Sequence, residues 1–158
     1  MGHFILRAFS MAGLLILATG NIPLLGQEPR TWKGHTDNIY SLVFSSDSKM
    51  LASASGNGEI RLWNPASGNH LRTIRSEAGM LRCLAFTPDG EAIAAAGKRQ
   101  VIHLWDIATG QEILGLEGHK AAINALAFSP DGSVLASCSH DGAVRLWHAS
   151  PIDPLAKP

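Results

Sequence analysis

The 158-residue chain is long enough for one domain with its own core and too short for two. Thirteen basic residues balance thirteen acidic ones and 16% of positions are charged, so a nucleic-acid backbone or an anionic membrane finds no electrostatic footprint. Sixteen glycines and eight prolines, with few helix-spaced runs of Glu, Lys or Leu, exclude a helical bundle and favour short strands joined by turns.

Residues 1–26 differ in character from the rest of the chain. A short basic start ending at Arg7 precedes the apolar run AFSMAGLLILA, and the small residues Ala18, Gly20 and Gly26 come next, the layout of a secretory signal peptide. The competing readings are a membrane anchor over residues 4–25 and a miscalled start. Asn21 and Pro23 break the apolar run before it reaches the ~20 residues that a bilayer core demands. The expected location is outside the cytoplasm, periplasmic or secreted, with cleavage after Gly20 or Gly26.

From residue 27 the chain repeats itself. Phe44, Phe86 and Phe128 stand 42 residues apart, as do Trp63, Trp105 and Trp147, without a gap. Three segments align on these anchors: NIYSLVFSSDSKMLASASGNGEIRLWN, MLRCLAFTPDGEAIAAAGKRQVIHLWD and AINALAFSPDGSVLASCSHDGAVRLWH. Each predicts strand, turn, strand, turn, strand. The first predicted strand is apolar on both faces (Ile39, Leu42, Val43, Phe44), as expected of a small sheet sandwiched between two others. The turn after it, Ser45–Ser48, lacks the Pro and Gly of Thr87–Gly90 and Ser129–Gly132, which suit a type I turn, and is expected to be looser. Asn57-Gly58 and Asp141-Gly142 read as two-residue hairpins. A fourth strand follows in NHLRTIRS and QEILGLEG, and QEPRTWK, residues 27–33, aligns with both. The C-terminal IDPLAKP carries too many prolines to play that part for the third unit. One end has a spare strand and the other lacks one. The units run over about 27–68, 69–110 and 111–150, ahead of a Pro-rich tail at 151–158.

The stretch SCSHDGAVRLW, Ser137 to Trp147, tempts a hydrolase reading because Ser, His and Asp fall close together. A nucleophilic set needs an exposed hydroxyl beside space for an acyl group and an oxyanion site. A comparable set recurs 84 positions earlier as His35, Ser53, Asn57 and Trp63, and recurrence points to framework, so no catalytic residue is assigned. His103, His140 and His148 lack ligand spacing and no phosphate-cradling glycine loop is present, so no metal and no cofactor is expected. Cys83 and Cys138 could form one disulfide, but buried free thiols are the expected state.

Four-stranded units at this period, with Gly34-His35 or Gly118-His119 before the first strand and Leu-Trp-Asp closing the third, resemble WD40 repeats of the β-propeller class. The third unit keeps Gly118-His119, Ser137, Asp141 and Trp147. The first has Asn57 for the aspartate and Asn64 after the tryptophan. The second keeps only Trp105-Asp106, with Ser76-Glu77, Ala95 and Arg99 at the other positions. The resemblance implies an all-β fold, a partial WD40 β-propeller of three four-stranded antiparallel blades. It also implies a structural relay in which His119, Ser137, Asp141 and Trp147 form a buried hydrogen-bonded chain, matched by His35, Ser53, Asn57 and Trp63.

WD40 propellers usually close on four to eight blades, with the N-terminal strand completing the last one like a clasp. Three blades leave two apolar faces open, which implies a second copy completing the ring, a different polypeptide doing so, or a non-functional fragment of a larger WD40 protein. The implied function is a non-catalytic protein–protein interaction scaffold, with no nucleic acid and no small-molecule substrate. The alternative is a hydrolase or metal-dependent enzyme at the mouth of a completed ring. Carried over by position, the partner-binding rim holds Asn38, Tyr40, Met80, Arg82, Lys98, Asn124 and His140, of which Tyr40, Met80 and Arg82 suit a binding hot spot best.

Overall fold

The computed structural model describes residues 30–148. The predicted leader and Pro-rich tail lie outside them. Eleven strands are formed: β1 (Ile39–Phe44), β2 (Leu51–Ser55), β3 (Glu59–Trp63), β4 (His70–Arg75), β5 (Leu81–Phe86), β6 (Ala92–Gly97), β7 (Ile102–Asp106), β8 (Glu112–Leu116), β9 (Ile123–Phe128), β10 (Val134–Ser139) and β11 (Val144–His148). They make three antiparallel sheets with the strand orders β1-β2-β3-β4, β5-β6-β7-β8 and β9-β10-β11. Each sheet is a simple meander, because connections this short allow only antiparallel neighbours. The family resemblance implies four strands in every sheet; the third has three among the described residues, in keeping with the end that lacks a strand in the sequence. Residues 30–38 form no strand either. Trp32 instead stacks on Trp63 at 6.0 Å between ring centroids.

The turns are alike where the sequences differ. Ser48, Gly90 and Gly132 each donate a backbone N–H back across the turn at 2.9 Å, and Asp47, Asp89 and Asp131 accept from the N–H two residues on. The Ser45–Ser48 turn is therefore closed like the others, not looser. The difference is conformational. Ser48 holds φ +60°, where its counterparts are glycines at +75° and +74°. A side chain there costs about 1–2 kcal/mol, partly offset by the entropy a glycine adds to the unfolded chain. Ser48→Gly is expected to raise the melting temperature by about 2–6 °C in a calorimetric scan.

The two hairpins also depart from expectation. Their loops hold three residues, 56–58 and 140–142, closed by Gly58 N–H to Ser55 O and Gly142 N–H to Ser139 O, both at 3.2 Å. The Asn57 and Asp141 side chains select this longer loop by accepting from the Glu59 and Ala143 N–H groups.

Side chains alternate across each strand, so the middle sheet feeds two apolar layers. Leu84, Phe86, Ile93, Ala95 and Trp105 pack against Ala52, Ala54, Ile60, Leu62 and Ile74 of the first sheet. On its other side, Cys83, Ala94, Ala96 and Ile102 join Ile123 and Leu135, with Phe128 and Trp147 packed against them. Every residue of β6 is buried. The two-faced apolar pattern is satisfied only here. Leu42 and Phe44 of the first sheet are 62% and 57% exposed, and Val144 and Leu146 of the third are 72% and 61% exposed. Both cysteines are free. Cys83 is buried and its thiol pKa is pushed up to about 12 by burial, while Cys138 is half-buried on the open side of the third sheet.

Candidate interaction rim and the buried polar relay

In the third sheet four side chains meet. His119 lies in the loop ahead of β9, Ser137 in mid-β10, Asp141 in the loop after it and Trp147 on β11. Asp141 Oδ2 accepts from the Lys120 N–H at 2.8 Å and stands 2.8 Å from His119 Nδ1. His119 Nε2 lies 2.7 Å from Ser137 Oγ, and the Trp147 indole N–H donates to that oxygen at 2.9 Å. A carboxylate only accepts, so it fixes the imidazole hydrogen on Nδ1. Nε2 then accepts from the Ser137 hydroxyl, whose lone pairs receive the indole. The Lys120 amide, and after it His119, hold the Asp141 carboxyl well below the usual carboxylate range. The order Asp, His, Ser is that of a nucleophilic triad, but Ser137 is 3% exposed and its oxygen is already occupied by Trp147. No acyl group can approach it.

The first sheet builds a different version. His35 Nε2 lies 2.6 Å from Ser53 Oγ, to which Trp63 donates at 2.8 Å. Asn57 does not reach His35. Its oxygen accepts from Ser55 Oγ–H and the Glu59 N–H, and its amide donates to Thr36 Oγ1. His35 Nδ1 is left without a hydrogen-bond partner among the described residues, and the Glu59 carboxylate is 4.0 Å away. Burial, then the Arg61 charge, lowers the His35 pKa below the usual imidazole value. Sequence reasoning missed Glu59, which is buried and paired with Arg61 and Arg75, each at 3.1 Å. The available signal was Arg75 opposite Glu59 in the β3–β4 register. In the second sheet Ala95 lies in the apolar layer and Arg99 is exposed. His103, weighed only as a metal ligand, stacks on Trp105 and lies 2.6 Å from Glu112 Oε1. Among the described residues no group of three or more His, Cys, Asp or Glu is placed to hold a metal ion.

The rim candidates gather at one end of the sheets, because the same backbone bond recurs there: Gly56 N–H to Asn38 O, Lys98 N–H to Met80 O and His140 N–H to Ala122 O, each 2.9 Å. Arg82 spans two sheets. Its Nη1 lies 3.3 Å from Asn124 Oδ1 and 3.2 Å from His140 Nε2. Met80 and Lys98 border an open groove of about 510 Å³ that Arg99 and Val101 also line. Tyr40 is 46% exposed and closes over Gly56, whose Cβ, if present, would stand 3.1 Å from the ring. Asn38 and Tyr40 share the end of the first sheet, apart from the Arg82 cluster on the second and third.

A family model described as WD domain, G-beta repeat matches residues 26–64, 68–106 and 110–148. No curated protein matches the chain. Among solved structures the fold is similar to a crystal structure of RRP9 WD40 repeats and to a structure of U3-55K. Each aligns with a TM-score of 0.72 and 29% identity over 75% of this chain and 38% of its own length. The chain spans well under half the length of these structures.

Proposed function

Because this chain belongs to the WD40 repeat family, whose members are typically non-catalytic and generally bind proteins, we propose that it is a protein-interaction scaffold. Its contact surface is the rim carrying Tyr40, Met80, Arg82, Lys98, Asn124 and His140. One observation carries this reading. Arg82 is held in place by Asn124 and His140 from the neighbouring sheet, and among the described residues no carboxylate pairs with its guanidinium. A positioned arginine, with Met80 and the exposed Tyr40 elsewhere on the same rim, has the composition of a binding hot spot. The relay does not compete for this role, since its Ser137 hydroxyl is buried.

Arg82→Ala is expected to abolish retention of the proteins that the wild type captures from its native extract, while the melting temperature stays within about 3 °C. An unchanged set of captured proteins would count against the rim. The proposal includes export, supported by the order of basic start, apolar run and small residues in 1–26.

A further inference from the structure

We propose that the groove between the loop ahead of β5 and the β6–β7 hairpin seats an acidic segment of a partner protein, with Lys98 and Arg99 meeting its carboxylates. The proposal rests on the rim described above and specifies the chemistry of what that rim takes.

In the first and third sheets a hairpin side chain ties the hairpin to the loop that precedes the sheet. Asn57 donates to Thr36 Oγ1 at 3.1 Å, and Asp141 accepts from the Lys120 N–H at 2.8 Å. The second sheet has Ala78 in place of Thr36 and Lys120, and Arg99 in place of Asn57 and Asp141. Neither bond can form there. The Ala78 methyl offers no polar atom, and its N–H cannot bond to a guanidinium, which only donates; Ser76 Oγ accepts that N–H instead, at 3.1 Å. Backbone still joins the two segments, Lys98 N–H to Met80 O at 2.9 Å, and the space beside that bond is the groove of about 510 Å³ lined by Ala78, Met80, Lys98, Arg99 and Val101.

Gly97 sets the base of the groove. The other sheets have Ser55 and Ser139 at this position. A Cβ on Gly97 would collide with the Met80 carbonyl oxygen and stand 2.9 Å from the Arg82 nitrogen, so the end of β6 lies directly on the backbone of β5 and holds the flanking side chains in register.

The charge of the groove is the reason for an acidic occupant. Lys98 and Arg99 are both exposed and neither pairs with a carboxylate among the described residues. The corresponding hairpin residues are Gly56-Asn57 and His140-Asp141, so this pair of fixed cations is particular to the second sheet. Arg82, two residues along from Met80, adds a third at the same end. Glu77, the one acid of the loop, is exposed and does not line the groove. A guanidinium takes both oxygens of a carboxylate at once, and Met80 gives the wall a flexible apolar surface for a neighbouring side chain. No aromatic ring lines the groove among the described residues, so a nucleotide base has nothing to stack on, which favours a peptide over a nucleic acid.

An array of randomised octapeptides probed with the full-length chain tests this. The wild type is expected to select peptides carrying two or more Asp or Glu beside an apolar residue, and to release them in sodium chloride of about 0.5 M, where screening acts within roughly 4 Å. The variant K98E/R99E is expected to bind the selected peptides about 10-fold more weakly, since like charges then meet, with its melting temperature within about 3 °C of the wild type. K98R/R99K, which keeps both charges, is expected to stay within about 2-fold. Selection without preference for acids, undiminished binding by K98E/R99E, or displacement of the peptides by a single-stranded oligonucleotide would each overturn the proposal. Selected peptides that lack acids yet are lost in Arg82→Ala would overturn it while leaving the rim as the contact surface; an array with no selected peptide would count against both.

Discussion

Replacing Ser137 by alanine is expected to lower stability by about 2–4 kcal/mol, a fall in melting temperature on the order of 10 °C. The hydroxyl serves two buried or half-buried groups at once, His119 Nε2 at 2.7 Å and the Trp147 indole N–H at 2.9 Å. Alanine leaves both without a partner, and each orphaned group costs about 1–3 kcal/mol, more than the bond itself contributes. The loss falls on the connection between β10, β11 and the loop carrying His119, so the third sheet should open first, which hydrogen exchange across β9 to β11 will report. Arg99→Ala is the control. That residue occupies the position of Asp141 in the second sheet, where Ala95 leaves no relay to break, and its removal is expected to cost within about 0.5 kcal/mol. Equal losses in the two variants would show that the hydrogen-bonded chain contributes nothing.

Phe86→Ala is expected to cost about 3–5 kcal/mol, against about 1 kcal/mol or less for Phe44→Ala, although the two residues occupy the same place in the repeat. Phe86 is 7% exposed between the first and second sheets, and removing its ring leaves a cavity that β1, β2 and β6 cannot close. Phe44 is 57% exposed on the outer side of the first sheet, so water already solvates it. Phe128, half-buried against the second sheet, should fall between them. Urea unfolding of the two single variants beside the wild type gives the comparison directly. Similar losses at positions 44 and 86 would contradict the stack.

The register of the repeat was legible in the chain because its causes are local. Alternation of side chains sets the strands, and Pro-Asp-Gly or its polar substitute sets the turns, so Ser45–Ser48 could be aligned with Thr87–Gly90 before any contact was known. The spacing that puts Ser137 ten residues before Trp147 follows from the same hairpin frame, since both lie on strands whose ladder places Leu135 opposite Trp147. Loop length escaped this reading. Asn57-Gly58 has the composition of a two-residue turn, but the Asn57 amide oxygen accepts from the Glu59 N–H and holds a third residue in the loop.

What the sequence determined by itself was the unit: four short segments, their order, and the polar groups that sew them together, all fixed by backbone sterics and neighbours within a few residues. Only the tertiary structure decided which copy of each apolar side chain is buried, that Glu59 would sit between Arg61 and Arg75, and that Arg145 would have no acid to meet among the described residues. Those outcomes depend on what lies on the far side of a sheet. Identical residues at positions 44 and 86 carry no mark of whether another layer covers them.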